Sequence, residues 1–469
     1  MSLSQQAKAS IAVTRFGLGA RPGEIEAVGS DPAGYLKSQI RPDGADQPEG
    51  ELGSTVQGLA EFAQYQMQRK QAKADGDPKN AAVKDDRNLI RDSLAAEFLA
   101  RIRLASTTDA GFRERWALFW FNHFTVSDTK PAAAVVIGAF EREAIRPRVF
   151  GRFEDLLVAS SAHPAMLLYL DQARSVGPTS LAASRRVGAG AGAGLNENLA
   201  REIMELHTLG VGSGYTQADV TEFARALTGW STPGPNEALL PGDAGAGGAD
   251  GFVFRLRTHE PGVRRILGKT YPPDGVAQAR AVLHDLASHP ATAHHLSVKL
   301  ARHFVADDPP ASLVARLERT YNTTGGRLDR MAEALINAPE SWGPEQRKFK
   351  TPYEFLVSGY RAAGQAPSDM SKVAPTLNGM GQKPFGAPSP KGWAEESQDW
   401  ASPDAIIKRL SWSEAFAAAT TPPQSAPMEL AQNTLGAQLS PAVATAISRA
   451  ESRTEAFSIL LMSPEFQRR

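Results

Sequence analysis

Residues 84–104 read KDDRNLIRDSLAAEFLARIRL, and their apolar positions recur at the spacing of an α-helix. Leu94, Phe98 and Ile102 follow one another at intervals of four, which places them on one helical face. The same periodicity indicates helices in many other segments, whereas strand signals are sparse. The predicted helices lie near residues 56–74, 110–124, 133–147, 152–170, 196–209, 217–230, 274–288, 290–305, 311–323, 328–338, 351–363, 403–420 and 453–462. The sequence therefore predicts a mainly α-helical fold.

The clearest strand signal comes from two short segments, residues 252–256 and 264–267. A turn at Glu260-Pro261-Gly262 separates them, so we expect them to pair as one small β-hairpin. Outside these strands, long loops rich in Gly and Pro interrupt the helices, and none of them has the character of a linker between independent domains.

We expect a single helical domain over residues 1–469. Within it, the Gly/Ala-rich loop 175–194 would join two sub-lobes, residues 1–170 and 196–469. The other long loops occupy residues 233–251 and 381–393.

The composition excludes several classes of function. Lys and Arg together number 51, as do Asp and Glu, so no net field favours nucleic acid as a partner. The absence of cysteine excludes disulfides, thiolate nucleophiles and Cys-ligated metal sites. The longest apolar stretch, residues 132–140, is well short of the roughly 20 residues that a membrane span needs.

The N-terminal segment lacks the pattern of a secretory signal. Its apolar run Ile11-Ala12-Val13 is interrupted by Thr14 and Arg15, so no sustained hydrophobic core follows a charged region. On this basis we expect a cytoplasmic location.

The densest polar segment on a predicted helix is residues 196–210, NENLAREIMELHTLG. Projected at about 100° per residue, its apolar residues form one face. That face consists of Leu195, Leu199, Ile203, Leu206 and Leu209. Glu202 falls inside the face, and Asn198 and Glu205 lie on its edge. Arg201 lies just beyond the edge, and His207 is expected to point the other way.

An inward carboxylate at Glu202 must be paired, hydrogen-bonded, metal-bound or protonated. A second inward polar residue is His123, which shares a face with Trp116 and Trp120 in the aromatic segment 111–124. Neutral imidazole and carboxylate suit a divalent metal or general acid–base chemistry. The structural alternative is a Glu–Arg network between helices and a histidine bonded to a backbone carbonyl. No metal motif such as His-Glu-x-x-His is present.

Other polar residues have simpler interpretations. Asp219 stands at capping-box spacing and is expected to cap a helix. His259 lies at the predicted hairpin turn, where exposed polar residues need no function. Lys299 and His303 flank an apolar helical face and could reach a site in the core, whereas His295 is expected to be exposed.

Laid end to end, several of these segments resemble the bacterial domain of unknown function 1800 family. The matching segments are residues 16–22, 120–124, 163–171, 196–210, 214–217, 227–230, 259–262, 391–393 and 463–467. The resemblance implies a helical fold and brings no accepted catalytic residues. It also implies a partner, because such proteins tend to be encoded beside a sulfatase-like protein with a twin-arginine signal. Co-export with that partner to the periplasm or the exterior is therefore an alternative to a cytoplasmic location.

Three hypotheses for function follow. In the first, the chain is a hydrolase-type enzyme, with a divalent metal as a possible cofactor. Its catalytic candidates are Glu202, Glu205 and His123. Its candidate substrate contacts are Arg201, Asn198, Trp230 and His259.

In the second hypothesis, the chain is a non-catalytic accessory or escort protein of the sulfatase-like partner. The long loops 175–194 and 233–251 would then make the contacts, and an apolar surface without a pocket would favour this function. In the third, the chain binds a glycan or another polar polymer. That function requires Trp393 and Trp400 to line one open groove.

Overall fold

The computed structural model describes residues 3–74, 81–185, 194–233, 251–420 and 426–469. Most of these residues are helical, and the predicted mainly α-helical fold is confirmed. One hydrophobic cluster runs from Ala9 near the N-terminus to Phe466 near the C-terminus. In the described ranges, no helix combines the length and apolar character required to cross a membrane.

The first part of the fold surrounds one buried helix, α6. Nearly every residue of α6 is buried, as its aromatic sequence predicted. Trp116 stacks on Phe150 at 5.9 Å between ring centroids, and its indole N–H donates to the carbonyl of Val149. The helices here are α1 (Gln5–Ile11), α2 (Glu24–Val28), α3 (Pro32–Lys37), α4 (Thr55–Ala74), α5 (Ala81–Thr107) and α6 (Gly111–His123).

The next segments are broken into short helices. The helix predicted near 152–170 divides at His163-Pro164, because proline lacks an N–H and drives the preceding residue into an extended conformation. The short helices are α7 (Pro131–Ala134), α8 (Ile137–Phe140), α9 (Phe153–Ala162), α10 (Pro164–Tyr169), α11 (Leu181–Ser184), α12 (Asn198–Glu202) and α13 (Gln217–Leu227). Three π-helical turns occur in the described residues, at Ala12–Phe16, Glu141–Ile145 and Ile203–His207.

The strands do not pair as the sequence predicted. Strand β1 (Trp230–Ser231) pairs with β2 (Val253–Phe254), and β3 (Arg264–Ile266) pairs with β4 (Lys269–Tyr271), both antiparallel. The predicted hairpin between residues 252–256 and 264–267 is therefore wrong. The reason is local. Leu267 and Gly268 both have positive φ, as in a type I′ turn, and this tight turn joins β3 to β4.

The remaining helices form the C-terminal half. Each of the helices predicted from residue 274 onwards is present, and α19, α21, α22 and α24 are additional. These helices are α14 (Val276–Ala287), α15 (Pro290–Phe304), α16 (Ala311–Thr324), α17 (Leu328–Asn337), α18 (Pro352–Ala362), α19 (Met370–Gly379), α20 (Pro403–Ala419), α21 (Pro427–Leu435), α22 (Pro441–Ser448), α23 (Arg453–Met462) and α24 (Pro464–Gln467). An antiparallel bridge between Phe349 and Arg468 brings the end of the chain beside the start of α18.

Candidate active site

The segment that carries Glu202 departs from a regular α-helix. Helix α12 ends at Glu202, and the π-helical turn Ile203–His207 follows directly. A π-turn holds more residues than an α-turn, so a projection at about 100° per residue fails beyond Glu202. As a result His207 is fully buried and Leu206 is partly exposed, the reverse of the predicted orientation.

Glu202 and Glu205 lie together in a half-buried acidic pair. Burial raises the pKa of Glu202, the charge of Glu205 adds to the rise, and Arg201 opposes it. Arg201 itself donates to Glu197 at 3.1 Å and to Gln217 at 2.8 Å. The pair is thus a local group where α12 meets the π-helical turn.

His123 lies in a different group, inside the core. Its Nε2 is 3.1 Å from the carbonyl oxygen of His207, and the two ring centroids are 6.0 Å apart. The ring centroid of His295 is 6.4 Å from that of His123. The Nε2 atom of His295 lies 3.0 Å from the carbonyl oxygen of Leu206. His295 is therefore partly buried, and the expectation that it is exposed is wrong. Burial lowers the pKa of His123 well below its ordinary value, and Lys299 adds to the effect.

The three sequence-predicted catalytic candidates therefore divide between two places. The structure joins Glu202 to Glu205 and joins His123 to His207 and His295. Within the described ranges, no hydrogen bond or ion pair joins the carboxylates of the first group to the imidazoles of the second. In the same part of the chain, no set of three or more His, Asp or Glu side chains is arranged to hold a metal ion.

The predicted substrate contacts are separated as well. Trp230 is buried in β1 with its ring edge-on to Phe252. His259 is also buried, whereas the sequence suggested an exposed position. Its Nδ1 lies 2.8 Å from the carbonyl oxygen of Thr228. Asn198 begins α12 and donates its N–H to the side chain of Asn196 at 2.9 Å.

A cavity of about 110 Å³ lies among α5, α6, α15, α18, α19 and the segment 382–395. One wall is apolar and mainly aromatic. It is formed by Phe98, Leu118, Phe121, Leu377, Phe385 and Trp393. Lys383 also lines the cavity, and its side chain is 58% exposed, so the cavity reaches the protein surface there.

The opposite wall contains a buried carboxylate between two guanidinium groups. Glu354 Oε1 accepts from Arg115 Nη2 at 2.5 Å and lies 3.1 Å from Arg469 Nη2. Glu354 Oε2 accepts the backbone N–H of Thr351 at 2.9 Å in a capping box. Burial alone would raise the pKa of Glu354, but Arg115 and Arg469 outweigh burial and lower the pKa to about 2. Glu354 is thus a fixed, fully bonded anion.

Two neutral polar groups in the same cavity lack a protein partner. Among the described residues, neither His303 Nε2 nor the Tyr353 hydroxyl makes a hydrogen bond, although both atoms are buried. Burial lowers the pKa of His303 well below its ordinary value, and Arg115 and Arg469 lower it further. Burial raises the pKa of the Tyr353 phenol. At neutral pH the cavity therefore holds a neutral imidazole and a protonated phenol.

The position of His303 is set by its neighbours. Its ring packs on Phe119 at 5.1 Å and on Phe304 at 4.9 Å between centroids. Its carbonyl oxygen accepts from Arg469 Nη1 at 2.6 Å, which ties α15 to the polar wall. Glu395 supplies a further carboxylate to the lining, and it forms no ion pair with the part of the chain that is described.

The family described as "Protein of unknown function (DUF1800)" matches residues 11–468. The chain belongs to this DUF1800 family. The resemblance inferred from the sequence motifs is thereby confirmed. Searches of curated proteins and of solved structures found no match.

In this DUF1800 chain, sequence reasoning missed most of the cavity residues. It noted that Lys299 and His303 could reach the core, but it passed over Arg115, Tyr353 and Glu354. One signal was available. Arg115 belongs to a helix that is apolar nearly all round, so its charge had to be buried against a counter-ion. The partner, Glu354, lies 239 residues further along the chain, and its spacing from Thr351 marks a helix start but does not reveal the pairing with Arg115.

Proposed function

We propose that this protein is a hydrolase-type enzyme and that its active site is the cavity lined by His303, Tyr353 and Glu395. The observation that supports this proposal is the pair of buried, unbonded polar atoms, His303 Nε2 and the Tyr353 hydroxyl. Buried polar groups are almost always hydrogen-bonded, and the exceptions call for a specific explanation. Other buried side chains of the described residues, such as Trp120 and Trp230, also lack a partner, but His303 and Tyr353 belong to the lining of one cavity, where a ligand or a reacting water can supply the missing partner.

The chemistry of the two groups suits hydrolysis. His303 is neutral, so its Nε2 can accept a hydrogen bond from a water molecule, and it can accept a proton once a nearby negative charge offsets the cations that lower its pKa. The protonated Tyr353 hydroxyl can donate to the oxygen on which negative charge develops. Glu354 cannot take part in proton transfer, because both its oxygens are occupied by Arg115, Arg469 and the Thr351 amide. We assign it a structural role in holding the two arginines.

The cavity favours an enzyme over the two alternative functions. An accessory protein needs no enclosed polar cavity. A glycan-binding groove would need Trp393 and Trp400 side by side in the open, but Trp400 is buried and its indole N–H donates to the carbonyl of Ala394. Trp393 alone lines the cavity.

Glu202 and Glu205 provide a second candidate site for the same class of function. The raised pKa of Glu202 is the property of a carboxyl that can act as an acid. Its carboxyl group also influences the phenol of Tyr169, since burial and then the charge of Glu202 raise the pKa of Tyr169 to about 12.

Turnover of p-nitrophenyl acetate, butyrate and phosphate tests the proposal. We expect His303→Gln to lower kcat/KM by about 10²–10⁴-fold and Tyr353→Phe by about 10²-fold, because each removes one proton-transfer or donor group. The matched control is His294→Gln on the same helix, since the His294 side chain is 61% exposed and should not affect the rate.

Circular dichroism and thermal unfolding would establish that each variant is folded. Wild-type turnover in both folded cavity variants would contradict the proposal, and so would the absence of turnover of all three substrates by the native chain. Loss of turnover in Glu202→Gln, with turnover retained in the cavity variants, would indicate that the active site is the acidic pair Glu202–Glu205.

A further inference from the structure

The charges on the polar wall of the cavity do not balance. Two guanidiniums, Arg115 and Arg469, share the single carboxylate of Glu354. In addition, Arg115 Nε is buried and has no hydrogen-bond partner in the described residues. Within this bonded cluster guanidiniums outnumber carboxylates by one, and the remaining carboxylate of the lining, Glu395, is partly exposed.

A lysine on the same helix as His303 adds to the positive field that acts on this histidine. Lys299 lies one helical turn before His303 on α15 and has no ion pair or hydrogen bond to its amine in the described ranges. Burial lowers the pKa of Lys299, and Glu395 opposes the effect. Lys348, by contrast, is paired with Asp307. Besides burial, the groups that lower the pKa of His303 are all cations, namely Arg115, Arg469, Lys348 and Lys299.

Nearby anions do not cancel this field. Glu354 offsets only one arginine, and Glu395 is partly exposed, so water and salt screen its charge. Across the cavity, Arg101 is neutralised by the buried carboxylate of Glu141. The guanidinium of Arg101 lies over the rings of Phe121 at 4.1 Å and Phe385 at 4.5 Å. These two rings therefore give this part of the cavity lining an aromatic character.

The volume limits what can enter. At about 110 Å³ the cavity is somewhat smaller than an apolar cavity of about 150 Å³ that admits benzene. A short acyl chain fits inside it, and a small ring with one charged group at the cationic wall fits if part of the ring extends through the opening beside Lys383.

From these observations we infer that the cavity binds a small carboxylate, with the anion between Arg115 and His303 and an apolar or aromatic group against Phe121 and Phe385. This inference rests on the proposed function only in taking the cavity as the ligand site. A carboxylate matches the single excess charge, and it can accept from Arg115 Nε, since the two Nη atoms of Arg115 already donate to Gly17 and Glu354. It would also be the acid product of an ester or amide hydrolase.

Binding of an anion has a consequence for His303. A negative charge beside the imidazole opposes the surrounding cations and favours the protonated ring. Binding of the carboxylate should therefore be accompanied by proton uptake, and its affinity should increase as the pH falls from 7.5 to 6.0.

Isothermal titration calorimetry with benzoate and benzamide tests the inference, because the two probes share a shape and differ in charge. We expect benzoate to bind the native chain about tenfold more tightly, with proton uptake detected in buffers of different ionisation enthalpy. We expect Lys299→Met to weaken benzoate about three- to tenfold and to leave benzamide unchanged. Lys408→Met is the control, since Lys408 lies on α20 in an exposed pair with Asp404.

Each of the following outcomes would overturn the inference. Equal affinity for benzamide and benzoate would show that charge is not recognised, while the cavity would still be a ligand site. Inorganic phosphate that binds more tightly than benzoate would show that the anion is not a carboxylate. Failure of both aromatic probes to bind would also overturn it. The proposed function would then be tested separately, by the turnover of the His303→Gln variant.

Discussion

His207 illustrates how one residue can weaken the fold in acid. Its imidazole is fully buried beside Phe124, and neither ring nitrogen has a hydrogen-bond partner in the described residues. Burial, with contributions from Lys299 and His295, lowers the pKa of His207 from 6.5 to about 3. The unfolded chain binds this proton below pH about 6.5 and the folded chain does not. The contribution of His207 to stability is therefore complete above pH about 6.5 and is lost as the pH falls towards 3.

We expect His207→Leu to reduce the acid sensitivity of the protein. Each histidine that is held neutral lowers the free energy of unfolding by about 1.4 kcal/mol per pH unit below its unfolded pKa, so the variant should lose that much less. At pH 7.5 the variant should match or exceed the native stability, since an unbonded polar ring is replaced by an apolar group. Urea unfolding between pH 7.5 and 4.5 measures both effects. His294→Leu should keep the native pH slope, and an unchanged slope in His207→Leu would refute the argument.

At the scale of the element, Asp219 links the start of α13 to the β3–β4 turn. The sequence correctly predicted its role as a cap. Asp219 Oδ2 accepts the backbone N–H of Thr216 at 2.8 Å, and Oδ1 accepts that of Leu267 at 2.7 Å. Burial alone would raise the pKa of Asp219, but the hydrogen bonds from Thr216 and Leu267 lower it. One side chain thus stabilises both a helix end and a turn residue with positive φ.

We expect Asp219→Ala to lower the free energy of unfolding by about 1–3 kcal/mol, because it removes a helix cap and leaves the Leu267 amide without its acceptor. Chemical denaturation at pH 7 measures the change. The exposed Asp308 supplies the control, and Asp308→Ala should change stability by less than about 0.5 kcal/mol. A loss in Asp219→Ala no greater than in this control would show that the capping bonds contribute nothing.

At the scale of the molecule, buried arginines join segments that are distant in sequence. Arg361 on α18 is fully buried and donates to the carbonyls of Gly19, Ala105 and Thr108. It also pairs with Glu24 at 2.8 Å. One guanidinium therefore fixes the N-terminal segment, the end of α5 and α18 against one another.

We expect Arg361→Met to lower the free energy of unfolding by about 3–5 kcal/mol, since it removes the positive charge paired with the buried Glu24 and a donor to three carbonyls. The exposed pair Arg330–Glu333 provides the comparison, and Arg330→Met should cost no more than about 1 kcal/mol. Thermal and urea unfolding of both variants would check the difference. Similar losses for the two variants would mean that the buried Arg361 contributes no more to stability than an exposed, ion-paired arginine does.

The sequence identified most of the longer helices, the family and the cap at Asp219, because periodicity, motifs and capping residues act over a few neighbours. Two errors arose where a local rule changed. The π-helical turn at Ile203–His207 moved His207 inwards, and the turn at Leu267-Gly268 paired β3 with β4. Neither change leaves an obvious trace in hydrophobic patterning.

The cavity itself depended on the tertiary structure alone. Its polar groups come from Arg115, His303, Tyr353 and Arg469, which only the packing of α6, α15 and α18 with the segment beside Phe349 brings together. Their protonation depends on burial and on one another's charges, and both are properties of the packed molecule. The sequence by itself determined the mainly α-helical fold, most of the longer helices and the family to which the chain belongs. The folded chain decided which charges meet, because desolvation and Coulomb interactions depend on distance in space and not on distance along the chain.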